Sequence, residues 1–202
     1  QKNILLSDRV DSVVVKLITA IKKELVDLPL TTVQINGIGV PQWLPEGADQ
    51  AATLILGLIP YCQATVDVVI QKYIRKLADG IVMTQFGDVA HFPYSCYGWH
   101  AYGSDQASAI FKAGIFLNDT SFTSKAMLEV NNFYPWLLNN GFKNAFDVSF
   151  ANGVFTQDNT KEFEQIAYGI RPMVFAAIAA YVITNDERYA DMAGHLAAWF
   201  LG

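Results

Sequence analysis

Aromatic, titratable and small residues lie close together at positions 92–106, where the chain reads Phe-Pro-Tyr-Ser-Cys-Tyr-Gly-Trp-His-Ala-Tyr-Gly-Ser-Asp-Gln. The side chains of His100 and Asp105 can donate or accept protons. Aromatic rings can stack on a ligand, and glycines let the backbone approach a ligand closely. This combination is typical of a binding loop in a cleft that handles sugars. The alternative is the start of a helix, which Ser104 or Asp105 would cap while the aromatic side chains fill the core.

A pair of carboxyl groups would allow glycoside hydrolysis. One carboxyl group must stay protonated as the acid, and the other activates water or attacks the sugar. Asp105 is the first candidate, because it follows His100 and Tyr102 and opens a predicted helix. That position also suits a simple capping residue, and a helix N-terminus lowers the pKa of a carboxyl group there. Asp88 is the second candidate, with an ordinary turn residue as the alternative.

His100 and Tyr102 permit a second chemistry. A polysaccharide lyase removes the proton next to a uronate carboxylate, using Tyr or His as base and acid, while a nearby cation stabilises the enolate. Arg171 could supply that positive charge. The alternative for His100 is a hydrogen-bonded residue of the core.

Further side chains could bind substrate without taking part in the chemistry. The aromatic candidates for a floor on which sugar rings stack are Trp43, Tyr97, Trp99, Tyr102 and Trp136. Asp147 and Asp158 flank a stretch at 150–155 that could fold over the substrate. Either one is a weaker candidate than Asp88 for the second carboxylate, and Asp147 is included among the binding candidates.

Nothing in the sequence predicts a cofactor or a metal site. It contains no P-loop, no dinucleotide-binding glycine pattern, no His-Glu-x-x-His and no Gly-x-Ser-x-Gly. Gly37-Ile-Gly39 lacks the third glycine, so we interpret it as a turn. Cys62 and Cys96 are too far apart for a local metal site, and they form either one disulfide or two buried free thiols.

Composition predicts one folded domain over residues 1–202, with 52% hydrophobic and 16% charged residues. A net charge of −5 argues against a nucleic-acid partner, because the sequence offers no basic patch to displace phosphate counterions. The apolar stretch 51–70 contains Pro60, Gln63 and Asp67, so we predict a buried helix and no membrane span. The first residues, Gln-Lys-Asn, fit a mature exported chain, for which we expect a periplasmic or extracellular location.

Helical periodicity of apolar residues dominates the chain. The predicted helices cover residues 6–28 (capped by Ser7 or Asp8), 49–85 (kinked or broken near Pro60), 105–117, 122–138, 162–183 and 187–201. Residues 31–47 are predicted to be a loop with at most one short strand at 32–35, and 141–160 a second irregular stretch. Lys72, Arg75 and Lys76 are predicted to form an exposed helix face.

The last two predicted hairpins resemble each other when the sequence is shifted by 67 positions. Asn118-Asp119 then falls on Asn185-Asp186, and the matched pairs include Phe122 with Tyr189, Ala126 with Ala193, Phe133 with Phe200, Ala109 with Ala176 and Ala113 with Ala180. Recurrence of this kind indicates stacked helical hairpins.

Two segments carry a resemblance to a known group of proteins. Tyr181-Val-Ile-Thr-Asn-Asp-Glu-Arg-Tyr-Ala-Asp-Met-Ala193, followed by Trp199-Phe-Leu-Gly202, resembles the turn and outer helix that recur in the six-hairpin glycosidase-like superfamily. Trp99-His-Ala-Tyr-Gly-Ser-Asp-Gln106 is similar to loops that line the central cleft of those proteins. The resemblance implies an all-α fold of helical hairpins that forms part of an (α/α)6 toroid.

A complete toroid has about twice as many helices as the six or seven predicted here. The chain is therefore expected to form about half of a larger barrel, either truncated, cleaved or completed by another copy. The expected function is glycoside hydrolysis of an oligo- or polysaccharide. The alternatives are a polysaccharide lyase and a non-catalytic helical-repeat module that binds a glycan or a protein partner.

Overall fold

The computed structural model describes residues 2–28, 32–35, 38–41, 48–85, 90, 92, 98–99, 104–140, 148–151, 154–157, 163–199 and 201. Most of this part is helical, with α1 (Lys2–Glu24), α2 (Ala48–Thr65), α3 (Val68–Met83), α4 (Ser104–Leu117), α5 (Thr120–Asn140), α6 (Phe163–Thr184) and α7 (Glu187–Ala198). Short strands lie between the helices: β1 (Thr32–Ile35), β2 (Ile38–Pro41), β3 (Gly98–Trp99), β4 (Val148–Ala151) and β5 (Val154–Gln157). The predicted all-α fold of helical hairpins is confirmed.

The helices alternate between two layers. α2, α4 and α6 pack side by side, while α3, α5 and α7 pack behind them, each against its neighbours in the chain. Ala109 and Ala113 on α4 and Ala176 and Ala180 on α6 are all buried. Small residues at these positions let neighbouring helices approach closely. We call α2, α4 and α6 the inner helices.

The three hairpins turn in the same way. In each, a residue with positive φ precedes an Asp, the pairs being Val66 (56°) with Asp67, Asn118 (51°) with Asp119, and Asn185 (54°) with Asp186. Each Asp side chain accepts a hydrogen bond from the backbone N–H two residues later, which satisfies a free donor at the start of the next helix. The predicted repeat of two hairpins is confirmed and extends to a third at Val66.

Of the predicted kink or break near Pro60, the break is wrong. α2 continues through Pro60, and the chain turns at Val66 and Asp67 instead. The Asp67 carboxylate accepts hydrogen bonds from the backbone N–H groups of Val69 (3.1 Å) and Ile70 (3.3 Å), so it begins α3. None of the helices within the described ranges is both long and apolar enough to cross a membrane.

The predicted cap of the first helix is also wrong. α1 begins at Lys2, so Ser7 and Asp8 lie inside the helix. The residues before Ser7 include neither Gly nor Pro, and nothing in them stops the helix from extending toward the N-terminus.

Two of the three basic residues on α3 bind other segments of the chain, contrary to the prediction that all three form one exposed helix face. Arg75 Nη1 lies 2.6 Å from Asp119 Oδ2, and the guanidinium also lies over the Phe122 ring. Lys76 Nζ donates to the backbone carbonyl of Val26 at 3.0 Å. These contacts connect α3 to its neighbours, and Lys72 remains exposed.

Two small antiparallel sheets lie between the helices. β1 pairs with β2, so the predicted loop at 31–47 contains a hairpin in which Gly39 pairs with Gln34. In the second sheet, β4 lies between β3 and β5, and Phe150 pairs with Phe155. The pairing of β3 with β4 brings the two irregular stretches of the sequence together. Sequence reasoning missed this because strand pairing between distant segments leaves no local periodicity.

Candidate active site

The inner helices bring three charged side chains together, two from the first turns of α2 and α4 and one from the middle of α6. Asp49 and Asp105 are each the second residue of their helix, α2 and α4, and Arg171 lies on α6. Both Asp49 and Arg171 act electrostatically on Asp105, so the three helices converge on this carboxyl group. Asp105 and Arg171 were both candidates from the sequence, and the structure places them in contact.

The contact between Asp105 and Arg171 is an ion pair with one close approach. Arg171 Nη2 lies 3.8 Å from Asp105 Oδ1. The Asp105 side chain is 35% exposed and that of Arg171 is 55% exposed. The contact is longer than a hydrogen bond, and no second close approach between the two groups is present among the described contacts. Both side chains keep exposed surface beside the ion pair.

The pKa of Asp105 is raised above its ordinary value. Burial is the largest cause, since it disfavours the charged carboxylate, and the negative charge of Asp49 acts in the same direction. The positive charge of Arg171 lowers the pKa but does not outweigh these effects. The sequence-based expectation that the helix N-terminus would lower this pKa is thus reversed by tertiary burial.

A carboxyl group with a raised pKa can act as a proton donor near neutral pH. Next to it, the Arg171 guanidinium can hydrogen-bond a hydroxyl or a carboxylate of a ligand, and it stabilises Asp105 after proton loss. Asp49 adds a second carboxylate within electrostatic reach. This arrangement suits acid and base chemistry on an oxygen-rich substrate.

A pocket of about 260 Å³ lies farther along the same faces of α2 and α4. Lys112 follows Asp105 by seven residues, which is two helical turns or about 10 Å along α4. The lining residues, which combine an apolar wall with one amide and one ammonium group, are Leu56, Ile59, Pro60, Gln63, Lys112, Ile115 and Phe116. Asp105 and this pocket therefore lie on one surface of the inner helices.

Trp136 and Trp99 are the other predicted site residues within the described part of the chain. The Trp136 ring stacks on Phe133 with centroids 5.9 Å apart, and both residues belong to α5, outside the inner layer. Trp99 pairs through its backbone with Val148 in the three-stranded sheet. Their roles in substrate binding stay predictions.

The remaining predicted site residues lie outside the described residues. They are Asp88, His100, Tyr97, Tyr102, Trp43 and Asp147. Their proposed roles as second carboxylate, acid–base group, stacking aromatics and binding carboxylate remain predictions.

Asp49 and Lys112 are functional candidates that sequence reasoning did not find. One signal was available for Asp49, because it occupies the same second position on α2 that Asp105 occupies on α4. In the sequence, Lys112 has the pattern of an ordinary exposed residue on an apolar helix. Only the packing of α2 against α4 places Lys112 at a pocket.

The segment that leads toward residues 92–106 is anchored on α5. The buried carboxylate of Glu129 accepts a hydrogen bond from the backbone N–H of Phe92 at 2.8 Å, and both residues are fully buried. The Gln85 amide donates to the carbonyl oxygens of Ala90 (2.8 Å) and Lys125 (2.9 Å). These contacts hold the connection between α3 and α4 before it reaches β3.

Cysteine and metal chemistry receive little support within the described residues. Cys62 is a buried free thiol whose pKa is raised by burial, and its Sγ lies 3.7 Å from the Asp67 carbonyl oxygen. Cys62 therefore forms no disulfide, and Cys96 lies outside the described residues. No group of three or more His, Cys, Asp or Glu side chains that could hold a metal ion occurs in the described ranges.

The fold matches a solved structure, the crystal structure of D-mannose isomerase. The two structures superpose with a TM-score of 0.54 at 13% sequence identity, over 89% of this chain and 49% of the isomerase chain. The chain therefore spans about half of the length of that protein. No protein-family model matches the sequence, and a comparison with curated proteins found no match.

At this sequence identity the match shows a shared fold of helical hairpins. The same fold thus occurs in a protein named as a sugar isomerase. Because one fold can host many activities, chemistry at this site must be argued from its own residues.

Proposed function

We propose that the chain carries one side of a carbohydrate-processing site that cleaves glycosidic bonds, with Asp105 as the proton donor. The observation behind this proposal is the half-buried Asp105 carboxyl group, whose pKa is raised and which lies 3.8 Å from Arg171. A general acid must hold its proton at the working pH and release it to the leaving oxygen. Burial shifts the pKa of Asp105 in the direction that the first condition requires.

The reaction would begin with proton transfer from Asp105 to the glycosidic oxygen. The bond between that oxygen and the sugar carbon breaks, and Asp105 becomes a carboxylate that Arg171 stabilises. The second carboxyl group activates water or attacks the sugar carbon. Asp49 is the candidate for this role among the described residues, and Asp88 remains the candidate from the sequence.

Membership in the six-hairpin superfamily is part of the proposal. It is supported by three hairpins with the same turn and by the likeness to D-mannose isomerase, whose fold is of the six-hairpin type. In this arrangement the chain supplies about half of a toroid, and the inner helices line its central cleft. We also keep the prediction that the protein acts outside the cytoplasm, on an oligo- or polysaccharide.

Sugar isomerisation is a second candidate, favoured by the structural likeness to a sugar isomerase. This reaction moves a proton between neighbouring carbons of an open-chain sugar, and it also needs an acid next to the carbonyl oxygen. Asp105 and Arg171 could serve there as acid and hydrogen-bond donor.

The test is a product assay on the full chain with a panel of oligosaccharides and free sugars. Hydrolysis increases the number of reducing ends, isomerisation interconverts aldose and ketose without such an increase, and a lyase forms an unsaturated product. We expect Asp105→Asn to lower kcat by on the order of a hundredfold or more. Asp191→Asn, a change at an exposed carboxylate on α7, is the matched control and should leave turnover unchanged.

The pH profile separates a proton donor from a merely structural residue. Activity should fall as the pH rises through the pKa of Asp105, because the acid must be protonated. Since Arg171 lowers that pKa, Arg171→Gln should move the alkaline limb to higher pH. Full turnover by Asp105→Asn would rule out this role for Asp105, and sugar binding without any product would favour the non-catalytic binding module.

A further inference from the structure

The pocket of about 260 Å³ between α2 and α4, which we call the α2–α4 pocket, takes no part in the carbohydrate chemistry proposed above. Both helices contribute residues at helical spacing, so one face of each helix forms a wall. The residues on these two faces are Leu56, Pro60 and Gln63 on α2, and Lys112, Ile115 and Phe116 on α4. The pocket is therefore formed by the packing of the two inner helices.

Most of the pocket wall is apolar and is held in place by the core. Leu56 and Phe116 are half-buried and pack against the core, and Ile59 is buried. A wall of this kind exists before a ligand binds. Since an apolar cavity of about 150 Å³ binds benzene, the volume of the α2–α4 pocket accommodates one aromatic ring with a small substituent.

Two polar side chains, Gln63 and Lys112, complete the pocket, and both are exposed. Within the described part of the chain, the Lys112 ammonium group makes no hydrogen bond or ion pair. An ammonium group donates up to three hydrogen bonds and accepts none, and no carboxylate belongs to the lining residues. The polar group of a ligand must therefore accept hydrogen bonds, and a negative charge on it is favoured.

The small number of polar groups argues against a sugar in this pocket. A sugar ring carries hydroxyl groups around most of its edge, and each hydroxyl group that loses water needs a hydrogen-bond partner. Two of the seven lining residues are polar, and the other five are apolar. The pocket thus suits a ligand with one anionic group and an apolar body.

We propose that the α2–α4 pocket binds a small carboxylic acid with an apolar body. The carboxylate accepts hydrogen bonds from Lys112 Nζ and from the Gln63 amide, while the apolar body packs against Pro60 and Phe116. Lys112 follows Asp105 by two helical turns, or about 10 Å, so one small acid does not reach both residues. This inference does not depend on the proposed carbohydrate chemistry.

The charges on the inner helices favour Lys112 over Arg171 as the partner of the carboxylate. These two are the basic residues of α2, α4 and α6. Arg171 lies next to the Asp105 carboxyl group, whose charge opposes a second carboxylate. Lys112 lies among apolar residues and one amide, so its charge is available to the ligand.

The test titrates the 202-residue chain with phenylacetate, followed by calorimetry and by NMR of the backbone amides. One saturable site with a Kd on the order of 1 mM is expected for a ligand of this size. Lys112→Met should weaken binding by on the order of tenfold or more, because a charge-assisted hydrogen bond is lost. Lys72→Met removes the same charge from an exposed position on α3 and is the matched control. Arg171→Gln should also retain the wild-type affinity.

A neutral analogue and a second variant test the two parts of the ligand. Phenylacetamide should bind about tenfold more weakly than phenylacetate, and added salt should weaken only phenylacetate binding. Ile115→Glu places a negative charge on the wall at a residue that is 56% exposed, so it should weaken phenylacetate binding without loss of helix content by circular dichroism.

Three results would overturn the proposal. The first is the absence of saturable phenylacetate binding at concentrations well above a millimolar. The second is an unchanged affinity in Lys112→Met, or a loss of affinity in Arg171→Gln instead. The third is displacement of phenylacetate by glucose, which would assign the pocket to carbohydrate.

Discussion

Arg171 Nη2 lies 3.8 Å from Asp105 Oδ1, and these residues lie on two neighbouring inner helices. Asp119 Oδ2 lies 2.6 Å from Arg75 Nη1 in an ion pair of the same type. The two carboxyl groups nevertheless have pKa values that shift in opposite directions. Burial raises the pKa of Asp105, whereas hydrogen bonds from Ser121 and Arg75 lower the pKa of Asp119 to about 2.

The first prediction follows from these opposite shifts. The contribution of Asp105 to stability is present at low pH and is lost as the pH rises through its raised folded-state pKa. Asp105→Asn should therefore raise the melting temperature at neutral pH, with a difference that shrinks in acid. Thermal unfolding followed by circular dichroism across pH measures this effect.

Asp119→Asn is the opposite case. The folded-state pKa of Asp119 is about 2. The carboxylate therefore stabilises the fold above the ordinary carboxyl pKa, and this stabilisation is lost as the pH falls toward about 2. The substitution should lower the melting temperature at neutral pH and have less effect in acid. A gain of stability in Asp119→Asn at neutral pH, or a loss in Asp105→Asn, would contradict the assignment.

The second prediction concerns Val66, which has a φ of 56°. A β-branched residue is strained in this left-handed conformation, whereas Asn tolerates it, and Asn occupies the equivalent positions 118 and 185. Because the Val66 side chain is 77% exposed, its replacement loses little packing. Val66→Asn should raise the free energy of unfolding by about 1 kcal/mol, measured by urea denaturation. Val68→Asn, at an exposed valine without positive φ, is the control and should give no gain.

The third prediction uses two helical glycines with different surroundings. A Cβ on Gly114 would lie 2.6 Å from Thr123 Cγ2 and 3.0 Å from the Thr123 backbone nitrogen, so α4 and the start of α5 approach too closely for alanine. Gly114→Ala should lower the free energy of unfolding by about 1–3 kcal/mol. Gly194→Ala has open space around the new methyl group and should be stabilising by about 0.5–1 kcal/mol through helix propensity.

Chemical denaturation of the double variant Gly114→Ala/Thr123→Ser tests the cause of the Gly114 effect. Removing the Thr123 methyl group should recover part of the loss, since that group is the nearest atom to the new Cβ. Equal stabilities of the Gly114→Ala and Gly194→Ala proteins would be incompatible with the close packing described.

The fourth prediction concerns the buried hydrogen bond from the Phe92 N–H to Glu129. Glu129→Ala leaves that N–H without its acceptor and should lower the free energy of unfolding by about 2 kcal/mol. Hydrogen exchange at the Phe92 amide should accelerate at the same time. Glu129→Gln retains a carbonyl acceptor and should keep most of the protection. Glu24→Ala, at an exposed glutamate on α1, is the control and should change stability by less than about 0.5 kcal/mol.

Local sequence patterns predicted most of the helices and the turn between α6 and α7. The predicted helices 105–117, 122–138 and 162–183 agree with α4, α5 and α6 to within a few residues, because apolar periodicity and capping residues act locally. The Asn-Asp pairs marked two turns for the same reason. The third turn, at Val66, was not predicted from the sequence, because a valine rarely adopts a positive φ.

The amino-acid sequence by itself determined that this chain forms an all-α array of hairpins and that Asp105 lies in the first turn of a helix. Only the tertiary structure decided which charges meet there. The pairing of Asp105 with Arg171, the influence of Asp49 and the burial that raises the Asp105 pKa all depend on how α2, α4 and α6 pack. Helix formation follows from neighbours in the sequence, whereas desolvation and ion pairing follow from neighbours in space.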